Sequence, residues 1–162
     1  MDNKLLIGML VVLVTFVGCT NNVQNNIAPP TTVQETTHSE QSLIGGTISK
    51  YYEWNKTKFD KAINEGKTVY LEFTANWCAI CQKQMLHLKA GFEELNDPNV
   101  VGFDIHYNDD QTTDEHRALA QQYQIAYQHS KIVIKNGKVV LKSPEAWTKD
   151  KFLEQMRKIQ SN

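Results

Sequence analysis

The sequence predicts one small α/β domain carried behind a non-globular amino-terminal segment. Three observations lead there. Apolar residues at helical spacing alternate with short runs rich in β-branched and aromatic residues. A Cys-x-x-Cys pair, Cys78 and Cys81 in TANWCAICQK, stands between one such run and the next helical stripe. Asn136-Gly137 joins two β runs in KIVIKNGKVVLK, the strongest short hairpin signal.

The elements follow in order. Phe59, Ala62 and Ile63 share a helical stripe that Gly66 ends. TVYLEF is short and apolar enough for a buried strand. From Cys78 to about Leu95, the residues Cys81, Met85, Leu88, Phe92 and Leu95 recur at helical spacing, and Asp97-Pro98 closes the element. VVGFDIHY reads as a second strand, and Thr113 to Tyr123 as a helix capped by Thr112 or Thr113. After the hairpin, Thr148 caps a helix whose stripe is Phe152, Leu153, Met156 and Ile159. The predicted order is helix, strand, helix, strand, helix, hairpin, helix.

With 162 residues and a formal net charge of -1, the chain has the size of one domain plus appendages. No basic run tracks a phosphate backbone, which argues against nucleic acid as a partner. The amino terminus runs apolar from Leu5 to Val17, too short for a mature membrane span and suited to the core of a signal peptide. It ends in FVGC. Residues 16–19 resemble the lipobox of prokaryotic lipoprotein signals, although Phe16 stands where leucine is commonest. That resemblance implies removal of residues 1–18 as a signal peptide and lipidation of Cys19. An uncleaved anchor and an ordinary secreted protein are the alternatives, and all three place the domain outside the cytoplasm. Residues 19–47, rich in Asn, Thr, Gln, Ser and Pro, read as a disordered tether, with His38 solvated in it, and residues 48–162 as the domain.

Three cysteines, one of them isolated at Cys19, cannot build a disulfide scaffold, so any sulfur chemistry is local. The order strand, CxxC, helix sets Cys78 at a helix mouth, where unpaired N–H groups favour a thiolate, and Cys81 one turn later. Cys78 can then attack a substrate disulfide and Cys81 can resolve the mixed disulfide. A CxxC is also half of many zinc sites, but the domain holds no second cysteine pair and only histidines could complete one.

The stretch VYLEFTANWCAICQ, with the strand and NG hairpin downstream, resembles the thioredoxin family over about Tyr51 to Ile159, the whole domain. The resemblance implies a thioredoxin fold, a central mixed β-sheet flanked by helices. Cys78 would be the exposed nucleophile and Cys81 the buried resolving thiol, with no cofactor beyond their disulfide. It sets Trp77 beside the nucleophile as a wall of the substrate groove, against the plainer reading of a core aromatic. Glu72, an acid inside a buried strand, falls where the family holds a carboxylate that accepts the proton of the resolving cysteine through water. The alternative is that Glu72 reaches the surface or pairs with a lysine.

Three departures from the family stand out. Ala79-Ile80 replaces Gly-Pro between the cysteines, which leaves the redox potential open. Leu86 stands where many thioredoxins have a helix-kinking proline, so the helix should run straighter. His129 occupies the place of the cis-proline that faces the cysteines. Its peptide is expected to be trans, because a cis bond before a nonproline residue costs about 2.5 to 4 kcal/mol. His129 could depress the Cys78 pKa as an imidazolium, lie apart on a surface loop, or join both sulfurs in a soft site for copper(I), zinc or an iron–sulfur fragment. The last arrangement resembles thioredoxin-fold copper chaperones, which typically space their cysteines by three. His87 on the long helix and His106 at a strand end are weaker ligand candidates, and His116 is expected on a solvated helix face.

Function is therefore expected to be that of an extracytoplasmic thiol–disulfide oxidoreductase, tethered to the membrane by lipid and acting on exported proteins that carry disulfides or thiols. A membrane thiol partner would donate or accept electrons; the direction is not encoded. A metal-binding or metallochaperone module using Cys78, Cys81 and His129 is the alternative. A third reading is a binding module with an inert disulfide, against which the intact WCxxC and Glu72 argue.

Overall fold

The computed structural model describes residues 42–162. Its elements are β1 (Leu43–Gly45), β2 (Lys50–Glu53), α1 (Lys56–Asn64), β3 (Thr68–Thr74) and α2 (Ala79–Leu95). They continue with β4 (Val100–His106), α3 (Asp114–Gln122), β5 (Ser130–Lys135), β6 (Lys138–Ser143) and α4 (Lys149–Ser161). The six strands form one sheet in the order β1-β2-β4-β3-β5-β6. β3 runs parallel to β4 and antiparallel to β5, and β4 runs parallel to β2, so the sheet is mixed. This is the thioredoxin fold that the motifs imply, an α/β sheet flanked by four helices.

All seven residues of β3 are buried, because helices cover both of its faces. Val69, Leu71 and Phe73 join Phe103, Ile105 and Ile132 in a core closed by residues of α1 and α3, including Ala62 and Leu119. Tyr70 joins Tyr51, Leu88, Phe92, Trp147 and Phe152 in a second core under α2 and α4. The period-2 alternation of a pleated strand sends successive side chains to these opposite faces. On the α2 face, Phe92 stacks on Tyr51 at 4.8 Å between centroids and packs on Phe152 at 4.7 Å.

Two strands lie ahead of α1 that the sequence pattern did not suggest. β1 and β2 form an antiparallel edge ribbon, and the folded region begins before residue 48. The expected tether boundary at residue 47 is thus too late by at least the length of β1. The leader, Cys19, His38 and the rest of the expected tether up to residue 41 lie outside the described residues. Among the described residues, no helix is long and apolar enough to cross a membrane.

Local chemistry accounts for the helix ends. Asn55, Thr113 and Thr148 each accept a backbone N–H at an N-terminus, as N-caps do. α2 runs unbroken past Leu86, which is exposed, and stops at Asn96, whose left-handed backbone terminates it ahead of Pro98. Gly102 on β4 is required by a close approach: a Cβ there would collide with the Phe92 ring and stand 2.8 Å from the Tyr51 ring. Gly102→Ala should therefore lower the unfolding free energy by about 1–3 kcal/mol, the usual cost of overpacking. Gly45→Ala, whose added carbon would meet Lys89 at an ordinary 3.5 Å, should change the urea midpoint far less. Equal midpoints for the two variants would contradict this packing.

Candidate active site

β3 delivers the chain into the loop Ala75–Trp77 and then into α2, so Cys78 stands at the helix mouth. Cys78 is the N-cap residue: its backbone is extended and its Sγ accepts the N–H of Cys81 at 3.2 Å. A sulfur in that position receives a helix-terminal N–H and the positive end of the helix dipole, both of which favour thiolate over thiol. Cys78 and Cys81 are joined as a disulfide, with Cα atoms 5.2 Å apart.

Cys78 retains 7 % exposure and Cys81 2 %. Cys78 is therefore the more accessible of the two, yet far less open than the family resemblance implied. The loop before it is tied to the loop after β4: the Asn76 N–H donates to Asp109, the Asn76 amide to Asp110, and Trp77 Nε1 to the Asn108 carbonyl at 2.9 Å. Gln82 Nε2 closes the loop further by donating to the Asn76 carbonyl at 2.7 Å. Trp77 itself is 62 % exposed, which rules out a core aromatic and leaves its ring on the surface.

Behind the disulfide lies a row of charged residues. Asp104 on β4, Glu72 on β3 and Lys131 on β5 are register partners across three adjacent strands, and all are buried. Glu72 does not reach the surface. It does pair with a lysine, Lys131, at 3.9 Å, and accepts hydrogen bonds from the Tyr70 hydroxyl and the Gln84 amide. Gln84 lies on α2 one turn beyond Cys81. Its Oε1 accepts from the Trp147 N–H at 2.6 Å and from Lys131 Nζ at 3.3 Å. Asp104 accepts from Thr74 at 2.9 Å and from Tyr51 at 3.3 Å.

Desolvation dominates the titration of the row. Burial pushes Glu72 up to about 8, although Lys131 and the Tyr70 hydroxyl pull the other way. Burial likewise raises Asp104 to about 6, against the pull of Thr74, His106 and Tyr51. It lowers Lys131 while Glu72 opposes it. A carboxyl that holds its proton near neutrality can give up or take a proton at physiological pH, as a proton relay requires.

His129 lies at this site and not on a distant loop. One of its ring nitrogens and the sulfurs of Cys78 and Cys81 all fall within 4.8 Å of one another, and Nδ1 is buried with no hydrogen-bond partner among the described residues. Its backbone is left-handed, with φ 55°, and its carbonyl accepts from Lys131 Nζ at 2.7 Å. Burial and the nearby Lys131 charge lower the pKa of the imidazole. The neutral ring is thus favoured, which weakens the reading of His129 as a cationic tuner of Cys78.

The other histidines stand apart. His87 is exposed on α2, and His106 binds Asp109 at 2.7 Å. His116 is 7 % exposed, not on a solvated face, because its Nδ1 completes the α3 cap by accepting the Thr113 N–H. Lys131, Gln84 and Asp104 were not singled out by sequence reasoning. The signal for Asp104 and Lys131 was the one that marked Glu72: a charge on an otherwise apolar strand.

The family model Thioredoxin matches residues 50–158. The chain belongs to the thioredoxin family. A curated H-type thioredoxin of Fagopyrum esculentum is 28% identical over 88 residues, covering 54% of this chain and 68% of that protein. Spinach chloroplast thioredoxin F superposes with a TM-score of 0.57 at 23% identity, over 70% of this chain and 96% of that one. Thioredoxin from Trypanosoma brucei brucei does so with a TM-score of 0.54 at 14% identity, over 72% and 96%. These two structures speak for the fold alone. Family membership and the Cys78–Cys81 pair together make this a thioredoxin-like redox domain, a thiol–disulfide oxidoreductase at the general level.

The raised pKa of Glu72 fixes the sign of a pH effect. Between the ordinary glutamate range and about pH 8 the folded protein holds a proton that the unfolded chain has released, so stability falls as pH rises through this window. The slope approaches about 1.4 kcal/mol per pH unit for one proton. Glu72→Gln removes this contribution, so urea unfolding from pH 5 to pH 8 should show the variant gaining on the wild type as pH increases. A constant difference would show that Glu72 titrates normally.

Proposed function

We propose that this thioredoxin-family domain works outside the cytoplasm, tethered by lipid at Cys19, and reduces or exchanges disulfides in exported proteins. The observation that carries the redox part is Cys78 as N-cap of α2, with Sγ on the Cys81 N–H and Cys81 buried behind it. The cellular location rests on the amino-terminal sequence alone: an apolar run ending in FVGC, then a polar stretch long enough for a leash.

In the reducing direction the dithiol form begins the cycle. The Cys78 thiolate attacks one sulfur of a substrate disulfide; the new S–S bond links enzyme and substrate, and the other substrate sulfur leaves as a thiolate that takes a proton. Cys81 then loses its proton and attacks Cys78 Sγ. The mixed disulfide breaks, the substrate departs as a dithiol, and the Cys78–Cys81 disulfide remains. Glu72 serves as acceptor for the Cys81 proton; its high pKa and its link through Gln84 to the α2 turn beyond Cys81 support that role. A membrane thiol partner returns two electrons and two protons by the same exchange.

Exposed apolar groups around the opening suit an unfolded or extended polypeptide. Trp77 and Ile80 flank Cys78 in sequence, and Tyr127 precedes His129 by two residues; all three are largely exposed. Aromatic and aliphatic side chains displayed beside a reactive sulfur favour protein substrates over small disulfides.

With dithiothreitol as electron source, the wild type should accelerate reduction of a test protein disulfide, and Cys78→Ser should abolish the acceleration. Cys81→Ser should accumulate a covalent adduct on Cys78 that nonreducing electrophoresis resolves. Activity retained in Cys78→Ser would refute the assigned order of attack. Metabolic labelling with a fatty-acid analogue should tag the wild-type chain and leave Cys19→Ser unlabelled; a wild-type chain that takes up no label would refute the lipid tether.

A further inference from the structure

We propose that the reduced protein binds one copper(I) ion through Cys78 Sγ, Cys81 Sγ and a ring nitrogen of His129. Among the described residues these form the one group of three His, Cys, Asp or Glu side chains whose ligand atoms converge, all within 4.8 Å of one another. The inference shares the Cys78–Cys81 dithiol with the redox cycle but does not depend on turnover.

Three features of the site point to a metal. First, His129 brings to the sulfurs an imidazole whose Nδ1 is buried without a partner. A buried polar atom without a partner is costly, and native structures rarely leave one. Second, the backbone holds the ring in place: His129 has φ 55°, and the Lys131 ammonium binds its carbonyl at 2.7 Å. A non-glycine residue in the left-handed region needs surrounding structure to keep it there, and Lys131 supplies part of it. Third, the sulfurs are nine-tenths buried, so water offers an incoming soft ion little competition.

The donor set selects the ion. Zinc in closed sites is almost always four-coordinate, and no fourth His, Cys, Asp or Glu joins this group among the described residues. Thiolate and imidazole donors suit copper(I), which three soft ligands satisfy. The stoichiometry balances in two steps. An external dithiol reduces the Cys78–Cys81 disulfide, supplying two electrons and two protons while itself becoming a disulfide. Copper(I) then displaces the two thiol protons to form two S–Cu bonds and one N–Cu bond. Both sulfurs are then occupied, so a copper-loaded protein cannot attack a disulfide.

The test uses the full chain in detergent, reduced and anaerobic, titrated with copper(I) against a chromogenic copper(I) chelator. His129→Asn is the informative variant, because asparagine tolerates a left-handed backbone and removes the imidazole. One equivalent should bind, with affinity lower by at least about 100-fold in His129→Asn, since even outer-shell partners of metal ligands are worth 10–100-fold. X-ray absorption of the wild-type complex should show two sulfurs and one nitrogen, a readout independent of how the variant folds. One equivalent of copper(I) should also halt reduction of the test disulfide, and excess chelator should restore it. Equal affinities in wild type and variant, or a sulfur-only shell, would overturn the site. If copper binding fails while Cys78-dependent disulfide reduction persists, the metal site falls alone; if copper binds to a protein that reduces no disulfide, the redox reading falls alone.

Discussion

A carboxyl group at the centre of a fully buried strand constrains everything around it. Glu72 lies on β3 with no exposed surface, in a position where an unpartnered charge would cost several kcal/mol. The structure surrounds it with donors: the Tyr70 hydroxyl from its own strand, the Gln84 amide from α2 and the Lys131 ammonium from β5. Gln84 is a polar residue on the inward stripe of an otherwise apolar helix face. It answers that demand while its Oε1 accepts from Trp147 and Lys131. Because Gln84 is one turn from Cys81, these bonds fix the rotation of α2 about its axis. The polar network that satisfies Glu72 thereby aims the cysteines.

The same arrangement explains how a rigid sheet presents a reactive group. β3 ends at Thr74, and four residues later Cys78 is both the last extended residue and the cap of α2. Between them, Asn76 and Trp77 bond to the Asn108–Asp110 loop, so the turn is tied to its neighbour across the end of the sheet. A sulfur held by a strand end, a helix start and two cross-linked loops keeps one geometry, and preorganised geometry lowers the cost of reaching an in-line exchange. Its exposure is small, whereas the Trp77 ring, although bonded through Nε1 to the Asn108 carbonyl, stays 62 % exposed.

Much of this was legible in the sequence, for physical reasons. The helices and the four strands from β3 to β6 carried strong periodicity or turn signals, and Thr113, Thr148 and Asn136-Gly137 mark their own positions by local hydrogen bonding and backbone preference. The β1–β2 ribbon was not legible: three and four residues are too few to show a period, and β1 follows a polar stretch without a break in composition. Glu72 stood out as an acid in YLEF. Asp104 and Lys131 obey the same rule on their strands but reveal themselves only once the register aligns them, since pairing across strands is absent from any local window. His116 was misplaced because a histidine that caps its own helix turns inward, where a simple face count puts it outside.

Lys131 joins the two halves of the site. From β5 its ammonium reaches back two residues to the His129 carbonyl and on to the Glu145 carbonyl, with Gln84 and Glu72 beyond. Burial alone would drive that ammonium toward neutrality, and Glu72 opposes the shift. A lysine here therefore needs the carboxylate as much as the carboxylate needs the lysine. The left-handed turn that carries the imidazole is fastened to the same ammonium. The buried network around Glu72 and the left-handed turn at His129 consequently depend on one buried charge, which ties the position of His129 to the charged row across the sheet.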